Sequence, residues 1–370
     1  MSACDSCLHR LNLVGLLIPF IEAVATGETG RRSPQLLALD DRKLARATAG
    51  RKADRILAEA AEADLDRLRG RIDSTGCWSV CRHSARYPEQ LLDLGDAPPA
   101  LICRGNRDAL ARLSLDSTVT VVGARRATSY GRRIATELSA ALAGTGMTVV
   151  SGLALGVDGA AHEGALRNGF TVAVLGCGAD VAYPRQHARL YDRICADGLV
   201  ISELPPGAGA WKWAFPARNR IMAALAAMTV VVEAAGRSGS LITSDLASDL
   251  GREVGAVPGP VGARMSVGTN DLISDGAHVI REAGDVLDAL IGPGARRPVI
   301  SGPEIDAELA TVLEAVEGGC SDCDSIALEV RRDAEETMAA LARLEILGYL
   351  ERSFGGGYAR TTLPAPEPAS

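Results

Sequence analysis

Aromatic side chains are scarce in this chain: 3 Trp, 6 Tyr and 4 Phe among 370 residues, or 4%. Positive charge is not in excess either. The formal net charge of −7 excludes a protein that coats duplex nucleic acid wholesale by electrostatics. No apolar run reaches the roughly 20 residues that span a bilayer. The stretch from Leu11 to Ile21, followed by Ala23-Val24-Ala25, faintly mimics a signal peptide, but Asp5 and Glu22 spoil the pattern and it reads as a buried helix. The nine cysteines are odd in number and scattered, which suits a reducing cytosol better than a disulfide framework, so a cytoplasmic protein is expected. No segment reads G-x-x-x-x-G-K-[ST], which excludes a P-loop motor. Gly176-Cys177-Gly178 lacks the third glycine of a dinucleotide fingerprint, because position 181 is Val, so NAD is not expected, nor any other cofactor.

Against this scarcity, three of the aromatic residues fall within five positions, Trp211, Trp213 and Phe215, around Lys212 and just before Pro216-Ala217-Arg218-Asn219-Arg220. An ammonium, two guanidiniums and a phenyl ring suit a groove for single-stranded nucleic acid. Cations track phosphates, while a flat ring takes an unstacked base at about 1–3 kcal/mol. Taken alone, the segment reads more readily as a loop with core aromatics and surface salt bridges.

Charge is uneven. From Ser117 to Arg220 there are eleven Lys or Arg against seven Asp or Glu, a local balance of +4 that leaves −11 on the remainder. A modest basic face on an acidic protein fits binding of one strand better than non-specific duplex binding.

With 370 residues and 47% hydrophobic content, two or three domains with at least one large core are expected. Residues 1–75 read as a small helical N-terminal domain, with Leu44, Ile56, Leu57, Leu65 and Leu68 at helical spacing. Residues 76–291 read as the core. After a transition punctuated by Tyr87-Pro88, Pro98-Pro99 and Gly105-Asn106, the pattern becomes strand, glycine turn, helix, repeated. The expected strands are Thr118–Val122, Met147–Val150, Thr171–Leu175, Leu199–Ser202 and Thr229–Val232. Near-continuous Val, Ile and Leu runs with helices between them predict an α/β, doubly wound, mostly parallel sheet, Rossmann-like in organisation. Ligands of such sheets bind beyond the carboxyl ends of the strands. A linker over 292–302 precedes a last domain, 303–361. There, Ile305–Val316, Ser325–Val330 and Glu335–Leu347 read as three helices and Gly348–Tyr358 as a hairpin, together a winged helix. The Pro-rich residues 362–370 are expected to be disordered.

Three strand-terminal glycine loops place backbone N–H groups at helix N-termini, where an anion is favoured. Gly123-Ala124-Arg125-Arg126 adds two guanidiniums to that geometry. It reads either as a phosphate site or as a tight turn with a solvated Arg pair. Asp158 and His162 lie four apart on one expected helix. A general base oriented by a carboxylate is one reading; a helix cap beside a packed, hydrogen-bonded histidine is the favoured one. Glu233, at a strand end, has the chemistry of a catalytic acid but no evident partner. Cys4-x-x-Cys7 and Cys320-x-x-Cys323 invite a zinc reading. They sit at opposite ends of the chain, and ordinary reduced cysteines, with no metal, are the expectation.

Several ordered motifs in the core carry a resemblance. They are Val122-Gly-Ala-Arg125, Ser151-Gly-Leu-Ala-Leu-Gly-Val-Asp158 with His162, Gly176-Cys-Gly178 leading to Tyr183-Pro184, and Ser202-Glu203. Phe215-Pro-Ala-Arg-Asn-Arg-Ile221, Glu233-Ala234 with Ser238-Gly-Ser-Leu241, Ala256-Val-Pro-Gly259, and Gly268-Thr-Asn270 with Leu272-Ile273 and Gly276-Ala277 complete the series. From about Tyr87 to Ala277 the chain resembles the DNA-processing protein A family, also called DprA or Smf. The resemblance implies an extended Rossmann-like fold, a homodimer, binding of single-stranded DNA in natural transformation and help in loading RecA onto it, with no catalysis. Position by position it implies that Gly123 and Arg125 hold a phosphate, that Ala124, Arg126, Ser151 and Gly152 belong to the same single-stranded-DNA-binding face, and that Lys212 contacts the backbone. It implies that Phe215 stacks on or wedges against a base, that Arg218 and Arg220 line the same groove, and that Asn219 is a hydrogen-bonder of the loop. Trp211 and Trp213 receive only a packing role. Two positions depart from the family pattern: Ala124 replaces a serine hydroxyl, and Leu155 stands where some relatives carry a basic residue.

Two other classes compete. A nucleoside monophosphate phosphoribohydrolase would carry Pro-Gly-Gly-x-Gly-Thr, where this chain has Arg237-Ser-Gly-Ser-Leu-Ile-Thr243. A winged-helix transcription regulator would need a basic recognition helix, whereas the third helix carries Glu335, Glu336 and Glu345 against Arg343 alone. A protein-interaction role suits that domain better.

Overall fold

The computed structural model describes residues 3–25, 34–236, 238–293, 303, 305–352 and 356–361. The chain divides into two compact units, Met1–Arg296 and Arg297–Ser370.

The first unit opens with five helices: α1 (Asp5–Ala25), α2 (Pro34–Leu37), α3 (Asp41–Ala49), α4 (Ala53–Ala61) and α5 (Leu65–Ser74). Asp40 and Asp64 cap α3 and α5 by accepting from the backbone N–H of Lys43 and Arg67, which satisfies one orphan donor at each end. α1 is long and apolar enough to cross a membrane by length and composition. Here it is a core helix: Leu13, Leu17 and Ile21 pack with Leu44 and Ile56, and also with Trp213 and Ala217 of the later chain. The helical segment is therefore not a separate body ending at residue 75; its apolar face is completed by the core.

The sheet follows: β1 (Trp78–Cys81), β2 (Ala100–Gly105), β3 (Thr118–Val122), α6 (Ser129–Gly144), β4 (Thr148–Ser151), α7 (Val157–Asn168), β5 (Phe170–Leu175), α8 (Ala188–Asp197), β6 (Leu199–Ser202), α9 (Ala214–Leu225), β7 (Met228–Val231), α10 (Gly239–Asp249), β8 (Glu253–Ala256), α11 (Val267–Ser274), β9 (His278–Val279) and α12 (Ala283–Ile291). Its nine strands lie in the order β1-β2-β6-β5-β4-β3-β7-β8-β9. From β6 to β9 all neighbours are parallel, while β2 joins β6 and β1 joins β2 antiparallel. The expected mostly parallel, doubly wound sheet is present. The five expected strands are its centre; the short β8 and β9, with Gly255 and His278 among few β-branched residues, carry too little pattern to be read in advance.

Alternation along the strands explains the layers. Val122, Val150, Val172 and Ile201 face α9 through Ile221 and Met222. Val119, Val121 and Val149 face α6, α7 and α12 through Leu138, Leu142, Val157 and Leu287. From β3 the chain winds outward to β4, β5 and β6, and α9 returns it to β7 on the other side of β3. The strand order therefore reverses between β3 and β7, the place where open α/β sheets offer a crevice.

The second unit contains α13 (Ala307–Glu317), α14 (Cys323–Val330), α15 (Ala334–Ile346) and an antiparallel pair, β10 (Leu350–Arg352) and β11 (Tyr358–Arg360). Leu309, Val312, Ile326, Leu341, Leu344 and Tyr349 form its core. Most of the expected linker, Arg237 and the Pro-rich tail lie outside the described residues.

Candidate nucleic-acid interface

At the switch point the loop after β3 meets the loop after β7. The Ala124 N–H donates to the Glu233 carbonyl (2.8 Å), and the Val157 N–H donates to the Ala124 carbonyl (3.2 Å). The Glu233 carboxylate accepts from the Thr128 N–H (2.8 Å) and, closely, from the Thr128 hydroxyl. Thr128 is in turn the cap of α6, accepting from the Gly131 N–H. Gly131 is required because a Cβ there would lie 2.3 Å from the Glu233 carboxyl group. Glu233 thus has the partner that its sequence context hid. It fills the helix N-terminus where a phosphate would otherwise sit. The Ala124 amide of the expected cradle is accordingly taken by the Glu233 carbonyl, Ala124 is buried, and Gly123 packs closely on Val157. Arg125 and Arg126 remain exposed beside it.

The loop after β4 is clamped as firmly. Ser151 is buried and donates its hydroxyl to the Val121 carbonyl (2.6 Å), so it is a strut rather than a ligand for phosphate. Asp158 accepts from the N–H groups of Gly152 (3.2 Å) and Ala154 (3.4 Å). Arg218 donates to the Gly152 carbonyl (2.6 Å), to the Val174 carbonyl and to Asn219 Oδ1 (3.1 Å), and stands 3.7 Å from the Asp158 carboxylate. A side chain at position 152 would collide with this guanidinium, 2.0 Å from the ideal Cβ. Burial raises the Asp158 carboxyl above the usual range, against the pull of Arg218. Burial also lowers Arg218, and the nearby charge of Arg125 adds to that lowering. Arg125 thus carries a like charge near enough to act on Arg218, and an anion arriving at Arg125 would relieve that repulsion.

His162 belongs to the same clamp. Its Nε2 accepts from the Leu153 N–H (3.3 Å), so Nδ1 carries the proton and donates to Thr171 Oγ1 (2.7 Å), which donates to the Val149 carbonyl. Leu153 holds a left-handed backbone, φ 55°, a strained state kept by these bonds and by His187, whose Nδ1 lies 3.1 Å from the Leu153 carbonyl. Burial, aided by Arg218, pulls His162 down to about 3. With its lone pair spent on a backbone N–H it is no general base.

Phe215–Arg220, expected as a loop, is the first turn and a half of α9. Pro216 is tolerated because the first helical N–H groups have no partner within the helix. The 3.6-residue period then separates the arginines. Arg218 and Asn219 follow Phe215 by three and four positions, whereas Arg220 turns to the opposite side. There it is buried and pairs doubly with Glu203 (2.7 and 2.8 Å) and with Asp96 (2.7 Å). These carboxylates hold the guanidinium well above its ordinary value despite burial. The two expected groove arginines are therefore interior: Arg220 is neutralised by two carboxylates and Arg218 is committed to the β4 loop. Asn219 is half-buried, between Arg218 and the Gly239 carbonyl (3.4 Å). Trp213 is buried, and its backbone N–H donates to the Glu22 carboxylate of α1 (3.1 Å), so the N-terminal helices fix where α9 begins.

What remains outward is compact. The Arg125 guanidinium carbon lies 5.4 Å from the Phe215 ring centre. Tyr183, 42% exposed, packs its ring 5.4 Å from Phe215 at 36°. Lys212 is exposed in the turn leading into α9. Tyr183 was legible only as part of the Gly176–Pro184 motif; nothing local pairs it with Phe215, 32 positions on.

Residues 78–291 match the model of a protein family described as DNA recombination-mediator protein A. The chain belongs to this family. Protein Smf of Escherichia coli is 36% identical over 306 residues, covering 78% of this chain and 80% of its own. DNA processing protein DprA of Streptococcus pneumoniae is 44% identical over 202 residues, covering 54% and 70%. The solved structure of the pneumococcal DprA superposes with a TM-score of 0.62 at 34% identity, over 78% of this chain and 98% of that one. DNA processing protein A of Helicobacter pylori, whose structure is described for its single-stranded DNA binding mode, superposes with a TM-score of 0.52 at 30% identity, over 58% and 95%. The recombination-mediator family match thus spans the sheet from β1 to α12 and the contacts of the site within it, while Glu22 and the other N-terminal helix residues lie before it.

Proposed function

We propose that this protein binds single-stranded DNA across the carboxyl ends of β3 to β6 and acts as a recombination mediator, protecting incoming strands and helping to load RecA. The carrying observation is the cluster in which exposed Arg125 and Tyr183 flank half-buried Phe215. It offers a cation for phosphate and two ring faces for unstacked bases, the pairing that sequence-tolerant single-strand binders use. The H. pylori relative supports the reading, since its structure is described for this kind of ligand. Arg126 and Lys212 extend the cationic surface. Gly123, Ala124, Ser151, Gly152, Arg218, Asn219 and Arg220 act beneath it, as the frame that holds Arg125 and Phe215 in place. The protein works as a homodimer, which sets two such faces along one strand. The α13–α15 unit is a winged helix in this reading. Its third helix presents Glu335 and Glu336 to solvent, a surface suited to a basic protein partner rather than to a DNA groove.

A nucleotide-cleaving enzyme is disfavoured by the same geometry, because Glu233 and His162 are both spent on structural bonds. A mobility-shift assay with oligothymidine tests the proposal. Wild type binds, while Phe215→Ala and Arg125→Ala each weaken binding at least tenfold, the effect of about 1.4 kcal/mol. Full affinity in both variants would contradict it, as would release of ribose phosphate from nucleotides by wild type.

A further inference from the structure

Cys4 and Cys7 are not isolated. The amino end of α1 lies against the end of β1, and the turn after β1 brings two more donors to the same point. Cys4 Sγ lies 3.3 Å and Cys7 Sγ 3.4 Å from His83 Nδ1. The Cys4 backbone N–H reaches Cys81 Sγ at 3.5 Å. The four ligand atoms of Cys4, Cys7, Cys81 and His83 all lie within 4.8 Å of one another. The expectation of unaccompanied cysteines at the chain start is thereby overturned. Their companions are 74 or more positions away, at the end of an unremarkable strand, and Cys81-x-His83 alone is too short a signal to pair with Cys4-x-x-Cys7.

We propose that these four residues form a structural zinc site. A tetrahedral zinc ion with Zn–S near 2.3 Å and Zn–N near 2.0 Å places sulfur and nitrogen about 3.6 Å apart and two sulfurs about 3.8 Å apart. The observed sulfur–nitrogen separations fall just inside that figure. Three thiols and an imidazole are the Cys3His donor set that zinc prefers over harder cations. Binding displaces three thiol protons to solvent and leaves His83 neutral, bound through Nδ1 with Nε2 free to carry its proton. A contact behind one ligand is also in place: the Ser6 hydroxyl lies 3.3 Å from Cys4 Sγ. Such contacts orient ligands. Four protein donors close the coordination sphere, so the ion has a structural role and no open position for substrate. Cys7 and Cys81 are buried, while His83 is exposed, which gives the ion an entry path. The site ties the first residues of α1 to the sheet edge. The opposite end of α1 holds Trp213 at the start of α9, so the metal fastens the helix that positions the Phe215 segment.

The full chain, purified from zinc-supplemented culture and dialysed without chelator, is expected to hold about one zinc per chain by mass spectrometry of the metal. His83→Ala, an exposed change, and Cys81→Ser lower that content to background. Cys320→Ser with Cys323→Ser leaves it unchanged, because those thiols are outside the cluster. Cobalt substituted into the wild-type protein gives the visible absorption of a tetrahedral thiolate site, a readout independent of whether any variant folds. Chelation lowers the melting temperature of wild type, and zinc restores it. Wild type devoid of zinc and unable to take up cobalt would overturn the proposal. So would metal content unaltered in both His83→Ala and Cys81→Ser, or recovery of Cys4 and Cys7 as a disulfide under native reducing conditions.

Discussion

The Arg125 guanidinium stands over the Phe215 ring, 5.4 Å from its centre, joining the loop after β3 to the first turn of α9. These residues are 90 positions apart in sequence. Glu233 fixes the Arg125 side through Ala124 and Thr128, and Arg218 fixes the Phe215 side through the β4 and β5 carbonyls. A cation and a ring are thus presented together by a frame whose own polar groups are satisfied, which limits the ordering cost on binding.

The two members of this pair make different contributions, and salt separates them. Each phosphate neutralised contributes about 0.7 to the slope of log affinity against log salt for a single strand. Arg125→Ala is expected to lower the slope by about that amount along with the affinity. Phe215→Ala is expected to weaken binding by about 1–3 kcal/mol with the slope unchanged, since stacking releases no counterion. Fluorescence anisotropy over a salt series distinguishes the two.

Arg220 is predicted to matter for stability alone. Removing it leaves buried Glu203 and half-buried Asp96 without a counter-charge, a loss of about 3–5 kcal/mol. Urea denaturation of Arg220→Ala should show that loss, while any folded fraction keeps the wild-type salt slope for DNA. A lowered slope in folded Arg220→Ala would mean that it touches phosphate after all.

His162 makes stability depend on pH. Its value falls from an ordinary 6.5 in the unfolded chain to about 3 in the fold, so the unfolded state binds the extra proton first. The stabilising contribution is complete above pH 6.5 and is lost as pH falls from there towards 3. His162→Gln keeps an acceptor for the Leu153 N–H without the titration. Its unfolding free energy should therefore decline less steeply than wild type across that window; equal slopes would assign the pH dependence elsewhere.

The parallel sheet was legible because Thr118–Val122, Thr171–Leu175 and Leu199–Ser202 are apolar runs between glycine turns, a pattern that only a doubly covered sheet explains. Arg125, Lys212 and Phe215, the outward residues of the proposed face, were picked out by their residue types alone. Arg218 and Arg220 were misplaced for one reason: a guanidinium's sequence context does not show its counter-ions. Asp96 and Glu203 lie 124 and 17 positions from Arg220. Only the sheet topology brings them together. The same holds for Tyr183 beside Phe215, for Thr128 beside Glu233, and for Cys81 and His83 beside Cys4 and Cys7. Long-range polar pairing has no periodicity for a sequence to display.

One strand of DNA is proposed to lie across the Arg125–Phe215–Tyr183 surface. Ultraviolet crosslinking of the wild-type protein to oligothymidine, followed by peptide mass spectrometry, tests it most directly. Thymidine adducts are expected on Phe215 or Tyr183, abolished by excess unlabelled single strand and absent from the α13–α15 unit. Adducts confined to that unit, with none near α9, would contradict it.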